Sequence, residues 1–154
     1  MSITIDVPGG SALVLDHLVL DVNGTITNRG VLIPGVAARI ARLRETFDVH
    51  LLTADTYGTA DEISAALDVP AERVTDGVAK VAALQRLGGD SCVAIGNGAN
   101  DELMLRTVGL GIAVLGPEGA SPRTLAAADL VCGSILTALD LLTEPRALTS
   151  TLRH

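Results

Sequence analysis

Aromatic residues are almost absent: the 154-residue chain has no Trp, and Phe47 and Tyr57 are its only Phe and Tyr. A core must therefore be assembled from Ala, Val, Leu and Ile, which favours helices packed on a sheet. Basic runs are missing too, and the formal net charge of −7 argues against a nucleic-acid footprint and against an anionic membrane surface. No stretch of about 18 or more apolar residues occurs. The opening Met-Ser-Ile-Thr-Ile has no basic n-region, so neither a span nor a signal peptide is expected and the reading is cytoplasmic. Cys92 and Cys132, the only cysteines, fall in apolar segments without CxxC spacing, which points to buried free thiols rather than a redox or zinc pair. His17, His50 and His154 are scattered along the chain and suggest no metal cluster.

What the chain does have is 48% apolar residues, in a length that suits one domain. Nothing resembling a linker or a repeat divides it, so residues 1–154 read as one unit with a core of about 17–142. From residue 17 short Val/Leu/Ile runs alternate with helical stretches: HLVLD, PGVAARIARLRETF, VHLLTAD, TADEISAALDV, ERVTD, GVAKVAALQRLG, SCVAIG, NDELMLRTV, GLGIAV, SPRTLAAA, ADLVC and SILTALDLL. Such alternation predicts right-handed βαβ crossovers in a parallel sheet, an α/β fold. Pro34 fits a helix's first turn, and Thr59 with Glu62 has capping-box spacing, so helices are expected to start near 34 and 59. ITIDV and ALVLD around Pro8-Gly9-Gly10 predict a β-hairpin at the sheet edge. The tail 149–154 reads as a fraying end.

Ligands of a parallel sheet bind beyond the carboxyl ends of its strands, so the polar residues there carry the functional argument. Asp21 ends the first strand and is followed by Val22-Asn23-Gly24-Thr25, a tight turn whose N–H groups suit an oxyanion, with Asp21 the natural nucleophile. Thr53-Ala54-Asp55 ends the second strand. Its hydroxyl and Lys80, at the head of a later helix, suit charge developing on phosphorus. Gly96-Asn97-Gly98-Ala99-Asn100-Asp101 offers oxygen ligands suited to magnesium. Singly, each has a plainer reading: a cap for Asp21, a turn for Thr53, a solvated Lys80. Asp55 fits a turn brace, and Asn100 fits either support of the metal loop or a helix cap. The order of the four clusters is what makes accident improbable.

In that order the chain resembles the haloacid-dehalogenase-like superfamily, and within it the phosphorylation domain of P-type ATPases. The matching residues are DVNGTIT, LLTADTYGTA, Lys80 and GNGANDELML, continuing through VGLGIAV and AAADLVCGSILTAL. The resemblance implies a three-layer Rossmann-like domain with helices on both faces and no cap, since only 27 residues separate Thr25 from Thr53. It implies a magnesium-dependent phosphatase or phosphotransferase acting through an aspartyl-phosphate on Asp21. Phosphate would be bound by Asp21, Val22, Asn23, Gly24, Thr25, Thr53, Ala54 and Lys80. Magnesium would be bound by Asp21, Asn23 through its carbonyl, Asn97 and Asp101, with Asn100 in support. The implied substrate is a small phosphorylated molecule, and an uncapped site implies closure by a homo-oligomer or acceptance of bulky substrates.

Two departures weigh on this. Asn23 stands where phosphatases of the superfamily carry a general acid/base Asp, and an amide cannot shuttle that proton, at a cost of roughly 10²–10⁴-fold in rate. Asn97 stands where a carboxylate normally meets the metal. The rival reading is a noncatalytic phosphate-binding or regulatory module, and a receiver-like signalling domain ranks last because the GNGAND loop has no place in it.

Overall fold

The computed structural model describes residues 1–154. The chain opens with β1 (Ile3–Ile5) and β2 (Leu13–Leu15), an antiparallel pair, and passes into β3 (His17–Asp21). A small hairpin of β4 (Thr27–Asn28) and β5 (Val31–Leu32) precedes α1 (Val36–Leu43) and β6 (Asp48–Thr53). Then come α2 (Ala60–Leu67), β7 (Ala71–Arg73), α3 (Gly77–Leu87) and β8 (Cys92–Gly96). The last third holds α4 (Glu102–Thr107), β9 (Leu110–Val114), α5 (Pro122–Ala127), β10 (Leu130–Cys132), α6 (Ile135–Leu141) and α7 (Pro145–Leu152).

Six strands form one parallel sheet in the order β10-β9-β8-β3-β6-β7. Strand alternation divides the apolar residues between two faces. Leu18 and Leu20 of β3 belong to a cluster of 27 buried residues that takes in α1, α2, α6 and α7. Val19 belongs to a cluster of 10 shared with α3 and α4. These clusters are overwhelmingly aliphatic, with Phe47 their one aromatic, as the composition requires. Cys92 and Cys132 are buried and free. No helix is long and apolar enough to cross a membrane.

Four local expectations are corrected. The N-terminal hairpin forms, but as a separate two-stranded sheet rather than on the edge of the main one. Pro34 precedes the helix, because Gly35 at φ 90 makes the turn into α1. Thr59 is the N-cap of α2 without a capping side-chain bond: its hydroxyl donates to the Gly30 carbonyl, and Asp55 accepts from the Ala60 N–H instead. The tail does not fray, since Leu148 is fully buried in α7 and the His154 N–H donates to the Pro8 carbonyl. The β4–β5 hairpin escaped sequence reading because each strand has only two residues. Arg29 and Gly30, at φ 49 and 85, give it the paired positive φ of a two-residue hairpin turn.

Candidate active site

From β3 the connections run one way to β6 and β7 and the other way to β8, β9 and β10. A crevice beyond the carboxyl ends of β3 and β8 is where such a sheet binds ligands. Asp21 ends β3, and Asn97 directly follows β8.

Lys80, in the first turn of α3, is fully buried there. Its Nζ donates to Asp21 Oδ1 at 2.8 Å and to Asp101 Oδ1 at 2.5 Å. An ammonium without water is tolerable only with such partners, and two carboxylates against one cation leave the site net negative. Burial, and after it the Asp101 charge, pushes the Asp21 carboxyl up to about 7 against the opposing pull of Lys80 and Thr25. Burial acts to lower Lys80, but the two carboxylates outweigh it and raise the ammonium's pKa.

Both oxygens of Asp101 are engaged. Its Oδ2 accepts from the backbone N–H groups of Asn97 and Gly98, both at 3.0 Å. A Cβ on Gly96 would stand 2.6 Å from this carboxylate, so glycine is required for the approach. This engagement makes Asp101 a brace of Lys80 and of the loop.

Thr25, fully buried, stands 3.0 Å from Asp21 Oδ2 and 3.1 Å from Asn97 Oδ1, and its one hydroxyl proton serves one of them at a time. The N–H groups of Thr25, Ile26 and Thr27 all donate to the Val22 carbonyl. Thr25 therefore orders the loop after Asp21, with its own amide already spent. Val22 points into the apolar core, Asn23 is half-buried, and Gly24 takes φ 75. Asn97 Nδ2 donates to the Gly119 carbonyl at 3.0 Å.

Thr53 is buried at the end of β6, one residue beyond the rung where Leu52 pairs with Asp21. Its Oγ1 accepts from the Asp55 N–H at 2.9 Å, which leaves its hydroxyl proton without an acceptor in the protein. Ala54 follows on the exposed side. Asp55 is a brace: it accepts from the Ala60 N–H at 3.0 Å and from Arg73 at 3.0 Å, and these bonds, the Ala60 one first, hold its carboxyl below the usual range. The Asn100 side chain makes no hydrogen bond. It lies against Gly98.

Sequence reasoning missed Glu118, in the loop after β9. Its carboxylate accepts from the Arg29 N–H at 3.1 Å and from the Tyr57 hydroxyl at 3.3 Å, tying together loops that follow β3, β6 and β9. Its Cβ lies 3.1 Å from where a Cβ on Gly24 would be. Only the preference of turns for polar residues could have flagged it. Beside the loop after Asp21 opens a cleft of about 520 Å³, lined by Thr25, Arg29, Val31, Pro34, Leu115 and Leu136 among others.

Residues 59–136, which carry Lys80 and the 96–101 loop, match the haloacid dehalogenase-like hydrolase family. The chain belongs to that family, in a form without a cap domain: only the β4–β5 hairpin and α1 lie between Asp21 and Thr53 outside the sheet, and α2 with β7 between Thr53 and Lys80. An uncharacterized protein of Methanocaldococcus jannaschii is 49% identical over 61 residues, which is 40% of this chain and 66% of that protein, just under two thirds of its length. The cobalt-bound deoxy-D-mannose-octulosonate 8-phosphate phosphatase of Haemophilus influenzae superposes with a TM-score of 0.70 at 16% identity, over 88% of this chain and 91% of that one. The catalytic domain of the CPx-ATPase CopB-B superposes with a TM-score of 0.59 at 21% identity, over 77% of this chain and 46% of that one. At these identities the two structures speak for the fold alone.

Proposed function

We propose that the protein is a magnesium-dependent phosphatase or phosphotransferase that accepts a phosphoryl group on Asp21. The observation that carries this reading is the Lys80 ammonium, fully buried between Asp21 and Asp101 at the switch point of the sheet. A lysine held there at the expense of its hydration supplies fixed positive charge where phosphoryl oxygens would lie. The Thr53 hydroxyl proton and the amides of the 22–24 turn add donors. An Asp21 oxygen attacks phosphorus, the bond to the leaving oxygen breaks, and that oxygen departs with the electron pair. Asn23 cannot protonate it. Acyl, aryl and anhydride phosphates, whose leaving groups need no proton, are therefore the favoured substrates, with the neighbouring cleft as space for the leaving group.

The donor set fits magnesium. The Asp21 carboxylate, the Asn97 Oδ1 and the Asn23 carbonyl are hard oxygens, and magnesium bound by them would neutralise charge on the phosphoryl group. No three His, Cys, Asp or Glu side chains form a ready cage, so phosphate and water would complete the shell. A phosphorylated substrate small enough for the cleft is the partner this reading requires.

A noncatalytic phosphate-binding module is the second reading, favoured by the Asn97 amide, which Gly119 and Thr25 hold on both sides. Release of p-nitrophenol from its phosphate ester, together with labelling by acetyl phosphate, separates the two. Magnesium-dependent turnover or an acid-stable, hydroxylamine-labile label that vanishes in Asp21→Asn supports the enzyme. Neither signal in the wild type, with turnover appearing in Asn23→Asp, makes the protein a binding module.

A further inference from the structure

His17 and His50 lie 33 positions apart and share no motif. Parallel pairing of β3 with β6 places His17 beside Asp48 and Val19 beside His50. Side chains two apart on a strand share a face, so His17, Asp48 and His50 emerge together near the amino ends of the two strands, away from Asp21. His17 Nδ1 is 3.3 Å from His50 Nε2, with the rings tilted at 47°. Asp48 Oδ2 is 3.9 Å from His17 Nδ1, on a side chain that is 80% exposed and free to turn.

We propose that His17 and His50, completed by Asp48 and water, form a second cation site that takes a divalent transition ion of the zinc class.

The spacing fits such an ion. Two nitrogens, each about 2.0–2.1 Å from one tetrahedral metal, are roughly 3.3–3.4 Å apart. The facing nitrogens now share a hydrogen, which must leave before both can ligate. It can move to the far nitrogen of its own ring, because neither His17 Nε2 nor His50 Nδ1 is committed to a protein partner. Imidazole with one carboxylate suits zinc, nickel, cobalt or copper better than magnesium, so the two sites differ in ligand chemistry as well as place. Cys92 is the register neighbour of His17 on β8, but its Sγ is buried and faces the Gly88 carbonyl. The three groups are not preassembled into a cage; ion binding draws in Asp48 and clamps β3 to β6.

Zinc calorimetry in saturating magnesium tests this on the wild type, Asp21→Asn, His17→Gln and His50→Gln. The wild type and Asp21→Asn should each bind one zinc with the same affinity, and each histidine variant should lose at least roughly tenfold. In the wild type, substoichiometric Ni²⁺ should broaden the imidazole C–H resonances of His17 and His50 before that of His154, a readout that needs no variant to fold. Zinc binding that survives both histidine changes, or that vanishes in Asp21→Asn, overturns the site, as does broadening that begins at His154.

Discussion

The Asn97 side-chain amide donates to the Gly119 carbonyl, and that bond turns its Oδ1 toward the Thr25 hydroxyl, which also lies 3.0 Å from Asp21 Oδ2. The amide is thus the matched partner of a carbonyl, and restoring a carboxylate there would set oxygen against oxygen. Asn97→Asp should destabilise the metal-free protein by about 1–3 kcal/mol, the usual cost of a buried group left unsatisfied, and magnesium should recover part of the loss. Denaturant unfolding with chelator and with magnesium measures both. A metal-free Asn97→Asp protein as stable as the wild type would show that the Gly119 bond is dispensable.

Lys80→Met leaves Asp21 and Asp101 facing each other with no cation between them. Breaking a buried pair from one side costs about 3–5 kcal/mol, and phosphoryl transfer should be lost as well. Adding Asp21→Asn to Lys80→Met should return part of the stability but none of the activity, since the charge removed belongs to the proposed nucleophile. In a double-mutant cycle, a loss in the double variant equal to the sum of the Lys80→Met and Asp21→Asn losses would mean that Asp21 and Lys80 are not coupled.

In the metal-free protein the Asp21 carboxyl titrates near 7, against 3.8 for its ordinary value. A raised folded-state pKa contributes stability that is complete below the unfolded value and is lost as pH rises through the folded one. Thermal stability in chelator should therefore fall from about pH 4 and level off above about pH 7. Magnesium must displace the same proton, so its affinity should rise across that window. Titrations at pH 6 and pH 8 check the direction, and a magnesium affinity that is flat or falling over that range rules this account out.

Glu118→Ala removes the tie between the Arg29 N–H and the Tyr57 hydroxyl without touching Asp21 or Lys80. Amide hydrogen exchange should speed up at residues 29–31, while global stability changes by less than about 0.5 kcal/mol, as is usual for exposed positions. Exchange that is unaltered at the hairpin would show that the β4–β5 turn holds its place unaided.

Much of this fold was legible because its signals are local. The apolar runs around Leu18–Leu20, Leu51–Leu52 and Val93–Ile95 alternate with helical stretches, which implies a parallel sheet, and a parallel sheet implies that Asp21, Thr53 and Asn97 share one rim. Lys80 was legible only through motif order. The commitment of both Asp101 oxygens was not, because it depends on Gly96 letting the carboxylate fold back onto two amides. Pro34 and Thr59 misled because other residues, the adjacent Gly35 at the turn into α1 and the Asp55 carboxylate at α2, took over the roles assigned to them.

By itself the sequence determined the α/β class, the aliphatic character of the core, the order of Asp21, Asn23, Thr53, Lys80 and Asn97 along the motifs, and the family resemblance, since all of these follow from composition, periodicity and residue order. Tertiary structure alone decided which distant groups meet. It set Glu118 across Arg29 and Tyr57, locked Asn97 onto Gly119, and brought His17 to His50. The physical reason is that strand register and loop closure are fixed by packing across the whole sheet, and a shift of one residue in β6 would turn His50 to the opposite face.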